Sequence, residues 1–140
     1  MTQEEKILLI KDLSARLPYA VTVEHTSGFR GTLHDITVHH MYDDNDNVYD
    51  AICYTDFFGD EDSIYIEYFK PYLFPLSSMT EEQKVIYGDL CYDVIRSSPE
   101  YTQSKLNELY DWLNKNYLDY RGLIPMGMAI DATGLNIYKL

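Results

Sequence analysis

An α+β fold is what this sequence predicts, on three observations. Residues 3–16 carry apolar side chains at helical spacing, residues 19–69 break into short β-rich runs, and residues 81–116 return to helical spacing twice. Turn residues punctuate the β-rich runs as consecutive antiparallel strands require. The architecture expected is therefore an N-terminal helix, an antiparallel sheet of about four strands, and two C-terminal helices with an irregular tail packed on it. At 140 residues the chain has the size of one domain, which buries about 68–70% of the surface its unfolded form exposes. A single domain over 1–140 is expected, with helix plus sheet in 1–70 and a helical subdomain plus tail in 71–140.

Each element has a local cause. Thr2 can cap the first helix, with Glu5 at the reciprocal position of a capping box, and Ile7, Ile10, Leu13 and Leu17 follow at helical spacing. Pro18 stops that helix, because it has no amide hydrogen for the next turn. Residues 21–23, 32–40, 48–54 and 64–69 read as a four-stranded meander, with Ser27-Gly28, 43–47 and 59–63 as its turns. Pro71 and Pro75 break the sheet. Thr80 and Gln83 form a second capping box for a helix over 81–96, with Ile86, Leu90 and Val94 on one stripe and Cys91 and Ile95 beside it. Gly88 inside this helix costs about 1 kcal/mol relative to alanine, which points to a close backbone crossing there. Ser98 caps a third helix from Pro99, which carries Leu106, Leu109, Tyr110, Leu113 and Tyr117 inward and ends near Asn116. From Arg121 glycines alternate with apolar residues, as in an ordered irregular segment packed on the core.

Composition narrows the function classes. Hydrophobic residues are 46% and charged residues 24%, ordinary globular usage that argues against disorder. With 23 acidic against 11 basic residues the formal net charge is −12, a field that repels phosphate backbones and argues against direct nucleic-acid binding. Met1 leads into T-Q-E-E-K without the basic start and apolar run of a secretory signal, and no stretch approaches a membrane span, so cytoplasmic residence is expected. Cys53 and Cys91 lack a C-x-x-C spacing and read as buried thiols.

No residue set argues for catalysis, and no cofactor is expected. Asp43, Asn45 and Asn47 stand at alternate positions like calcium ligands, but Val48 replaces the turn glycine and Tyr54 the bidentate glutamate. Asp60, Glu61 and Asp62 form a second acidic turn. The histidines are His25, His34, His39 and His40, all in the β region; alternation puts His34 and His40 on the face of Ile36 and Val38 and His39 on the other, without the three convergent ligands zinc needs. A small metal-dependent hydrolase built from these histidines and an acidic turn is one alternative function. The fourteen tyrosines are the compositional excess suited to recognition. Tyr49, Tyr65, Tyr87 and Tyr110 are expected in the core, whereas Trp112, Tyr117, Tyr120 and Arg121 combine hot-spot residue types at a helix end and are the candidate surface for a protein partner. A second alternative is an acidic decoy that occupies the nucleic-acid groove of another protein.

The stretch V-T-V-E-H-T-S-G-F-R-G-T-L-H-D-I, residues 21–36, resembles the first motif of Sm-like proteins, which implies a curved, SH3-like sheet and no transferable binding residue. Residues 64–138, through K-P-Y-L-F-P-L-S-S-M-T-E-E-Q, D-W-L-N-K-N, D-Y-R-G-L-I-P and A-I-D-A-T-G, resemble small proteins of gut Bacteroidales genomes and their phages or prophages. That resemblance implies an origin on a phage or mobile element and carries no mechanism.

Overall fold

The computed structural model describes residues 1–42, 47–56 and 64–138, with the side chains of 40–42 and 47–49 outside that set. Helix α1 (Gln3–Arg16) opens where the Thr2 hydroxyl accepts the Glu5 N–H at 3.1 Å. A 3-10 turn through Pro18 closes it. The helix buries Leu9, Ile10 and Leu13, and also the charged pair Asp12 and Arg16, one turn apart on the same face.

Strands β1 (Thr22–His25), β2 (Arg30–Tyr42) and β3 (Asn47–Thr55) form the expected antiparallel meander. Gly28, at φ 94°, supplies the left-handed step in the turn between β1 and β2 that a side chain would strain. β2 serves two partners: its start pairs with β1, its remainder with β3, and a bulge between Leu33 and Asp35 marks the hand-over. A bulge bends and twists its strand, so the sheet curves there.

The fourth predicted strand departs from the meander. Residues 66–68 make a 3-10 turn, and β4 (Phe69–Leu73) crosses to pair antiparallel with β1, leaving an isolated bridge from Ile52 to Tyr65 beside β3. Pro71 does not break the sheet; it lies inside β4 opposite Val23. Thr26 N–H donates to Tyr68 O at 3.0 Å, so the alternation of an antiparallel pair puts Pro71 at a non-hydrogen-bonded position where β1 asks no N–H of it. The tail adds β5 (Ile130–Asp131), parallel to β4 at Tyr72 and Leu73, and completes a five-stranded sheet of order β3-β2-β1-β4-β5. The architecture is α+β.

The core lies between this sheet, α1 and the tail. Leu9, Ile10 and Leu13 of α1 meet Val21, Val23, Leu33, Ala51, Cys53, Ile66, Phe69 and Leu73, and the tail closes over them with Leu123, Met128 and Ala129. Helix α2 (Glu81–Arg96) begins in a complete Thr80–Gln83 capping box, and two serines later α3 (Pro99–Lys115) turns back along it. Ser98 stands at the N-cap position, yet its hydroxyl makes no cap bond and reaches Glu100 instead. α2 packs against α3, and none of its residues is buried. α3 buries Leu113 and Asn114, while Tyr110, expected in the core, is 45% exposed. Gly88 also departs from expectation: a Cβ placed there meets nothing within 4 Å, so no backbone among the described residues crosses at that point. No helix among the described residues is long and apolar enough to cross a membrane.

Candidate functional site

The four residues singled out at the end of α3 divide between three environments. Trp112 is half-buried in the α2–α3 seam, its ring stacked on Tyr87 with centroids 6.3 Å apart. Tyr117 turns the chain out of α3 at φ 56°, a left-handed conformation that favours glycine. What holds it there is its ring, stacked on Tyr138 at 3.6 Å, and its hydroxyl, which donates to Tyr19 O. Tyr120 and Arg121 stay together on the other side, where the last turn of α3 passes over the C-terminal end of α1.

That junction is built on buried charge. Asp12 and Arg16 have side chains with no exposed surface and are joined twice, by Nε to Oδ2 at 3.0 Å and Nη2 to Oδ1 at 3.1 Å. Arg16 Nη2 also donates to Leu118 O at 2.7 Å, which ties α1 to the chain leaving α3. Arg16 Nη1 has no hydrogen-bond partner among the described residues, and the guanidinium lies 5.4 Å from the centre of the Tyr120 ring. Arg121 comes from outside to the same carboxylate, Nη1 to Asp12 Oδ1 at 2.9 Å. One carboxylate thus serves two guanidinium groups, and the cluster carries a net positive charge inside a strongly acidic chain.

Hydrogen bonds carry this order to the surface. Arg121 Nη1 donates to Tyr120 OH at 2.7 Å, and Tyr120 OH donates to Asn114 Oδ1 at 2.9 Å. The Arg121 guanidinium sits 4.6 Å from the Tyr120 ring centre, and Tyr110 packs against the same ring at 5.4 Å. Together with Ala15 these groups line an open recess of about 460 Å³. Next in the chain to Tyr120, the buried Asp119 accepts the Leu123 and Ile124 amides at 2.8 and 2.9 Å and fixes the turn that follows. Asp12, Arg16, Asn114 and Asp119 were missed by sequence reasoning. The one available signal was the acid–base pair at i and i+4 in α1, flanking Leu13.

The histidines do not gather. His25 is buried against Phe69, and its Nδ1 accepts the Ser27 N–H at 3.0 Å and stands 2.7 Å from the Ser27 hydroxyl. A ring nitrogen that accepts a backbone N–H carries no proton, so the imidazole proton sits on Nε2 and the ring serves to clamp the β1–β2 turn. A second recess of about 480 Å³ opens beside it, with Glu24, Glu67, Tyr68 and Lys70 on its walls. His34 is the extra residue of the β2 bulge, so the alternation that would place it beside Ile36 fails; it is exposed and 3.4 Å from Asp56. His39 is exposed, and Val38 on the supposed apolar face is 47% exposed. The His40 side chain, residues 43–46 of the first acidic turn and the whole of the second at 60–62 lie outside the described residues. Among the described residues no group of three or more His, Cys, Asp or Glu could hold a metal ion.

Both cysteines are free; Cys53 is buried and Cys91 half-buried. Burial pushes the Cys53 thiol up to about 12, whereas Cys91 accepts a hydrogen bond from Tyr87, which raises the pKa of that phenol. Family models, curated proteins and solved structures were each compared with this chain, and none matches it.

Proposed function

We propose that this chain is a non-enzymatic interaction protein, of the phage- or mobile-element kind that residues 64–138 resemble, and that it grips a protein partner at the Tyr110–Asn114–Tyr120–Arg121 recess. The observation that supports this is the fixed pose of Arg121 and Tyr120, braced from within by Asp12 and Arg16. Tyrosine and arginine dominate binding hot spots, and side chains already ordered before binding lose little entropy on contact. Both hydrogen bonds of Arg121 to the described residues leave from Nη1. Nε and Nη2 are the nitrogens a partner carboxylate would take, with the Tyr110 and Tyr120 rings as apolar walls.

Trp112 and Tyr117, first grouped with this pair, take the role of holding α2 and the tail in place. The experiment compares capture of a partner by the wild-type chain and by the Tyr120→Ala/Arg121→Ala double variant. Wild-type folding with loss of capture is the expected result; undiminished capture by the double variant removes the recess from the account. The net charge of −12 supports a second reading, an acidic decoy for a nucleic-acid groove. It predicts binding that weakens steeply with salt, while salt-insensitive binding contradicts it.

A further inference from the structure

The outer face of α2 carries a seam that no other described part of the chain covers. Val85 and Tyr92 are 64% and 52% exposed and Ile95 is 81% exposed. With Gly88 they recur at i, i+3, i+7 and i+10, the a/d spacing of a two-stranded coiled coil. Gly88 is exposed, and the position of its missing Cβ meets nothing within 4 Å among the described residues. A glycine in mid-helix costs stability relative to alanine and leaves room for another backbone or side chain to approach closely.

We infer that α2 pairs antiparallel with α2 of a second copy of this chain, about a two-fold axis between Gly88 and Tyr92. Antiparallel a-to-d layering then sets Tyr92 of each copy over Gly88 of the other, so the largest side chain of the seam meets the gap, and Val85 meets Ile95. Charge flanking the seam gives the antiparallel direction a contact of its own. Glu82 near the start of α2 falls opposite Arg96 at its end, twice by symmetry, because both flank the seam on the e side and e faces e in an antiparallel pair, whereas a parallel pair would leave both without these partners and bring Lys84 to Asp89 instead. Arg96 already lies 4.8 Å from the Tyr92 ring centre, on the rim of the seam. The helix dipoles also run in opposite directions. Two features oppose the pairing: Asp89 meets Asp89 near the axis, and each copy carries a net charge of −12. A single helix face is smaller than a standard interface, so the affinity belongs in the micromolar range.

Sedimentation velocity across that range tests the pairing, with circular dichroism as the check on folding. A wild-type chain that remains monomeric throughout overturns it. Ile95→Asp should leave a folded monomer. Gly88→Gln should raise thermal stability of the monomer, by its better helix propensity, and weaken association at least tenfold, because the added side chain fills the place of Tyr92 from the other copy. Glu82→Arg should weaken the dimer, and adding Arg96→Glu should restore it. A dimer unaffected by Ile95→Asp and Gly88→Gln, or charge variants without this reciprocal pattern, also overturns the pairing.

Discussion

Asp12 is the residue on which the junction between α1 and α3 turns. Its carboxylate is fully buried and answers two guanidinium groups. Removing it leaves Arg16 buried without a counterion and facing Arg121. Breaking a buried pair from one side costs about 3–5 kcal/mol, so Asp12→Ala should lower the unfolding free energy by that amount, read from urea denaturation. A loss under 1 kcal/mol would mean that the pair is solvated. Cys53 makes a second prediction. Its folded thiol holds the proton up to about 12, against an ordinary value of 9.0. Between those values the unfolded chain binds fewer protons than the folded one, so stability is whole below about pH 9 and declines as pH rises towards 12. Burial shifts Tyr138 in the same direction and adds to the decline. Melting temperatures from pH 7 to pH 11 should therefore be flat and then fall, and a thiol reagent should modify native Cys91 well ahead of Cys53.

The least anchored of the three α-helices is α2, which packs on α3 and buries none of its own residues. Much of its stability must come from local terms, above all the capping box, where Thr80 Oγ1 accepts the Gln83 N–H at 3.1 Å and Gln83 returns a bond at 3.0 Å. Thr80→Ala should cost about 1 kcal/mol, and native-state hydrogen exchange should show α2 opening at lower free energy than α1 or β1. Equal protection of α2 and α1 in the monomer would contradict this placing. Both boundaries of α2 were legible because caps are local signals. The partner of β4 was not: which side of the sheet a fourth strand joins depends on contacts between residues far apart in the chain, and alternation and turns are silent on it. Pro71 misled for a related reason, since a proline breaks a strand only where an N–H is required. Gly88 was read as an internal crossing because sequence shows the cost of a glycine but not what approaches it.

At the scale of the molecule, sheet, α1 and tail make the core, and α2 joins it by way of α3. Self-repulsion at a net charge of −12 is screened by salt. Melting at pH 7 should accordingly rise between low and moderate ionic strength, and no change would mean that the acidic groups are spread too widely to repel. The aromatic and arginine residues around 112–121 stood out in the sequence, yet its one-dimensional order could not say which of them would share a surface. The left-handed turn at Tyr117 decides that, sending Tyr117 towards Tyr138 and Tyr120 and Arg121 towards Asp12. The recess is thus a product of tertiary packing on a pair of buried charges. Hydrogen exchange of the wild-type chain with and without a captured partner tests its role most directly. The account predicts new protection over the end of α3 and the turn through Tyr120 and Arg121, with β2 and β3 unchanged; protection confined to the sheet, with that turn exchanging as freely as before, would contradict it.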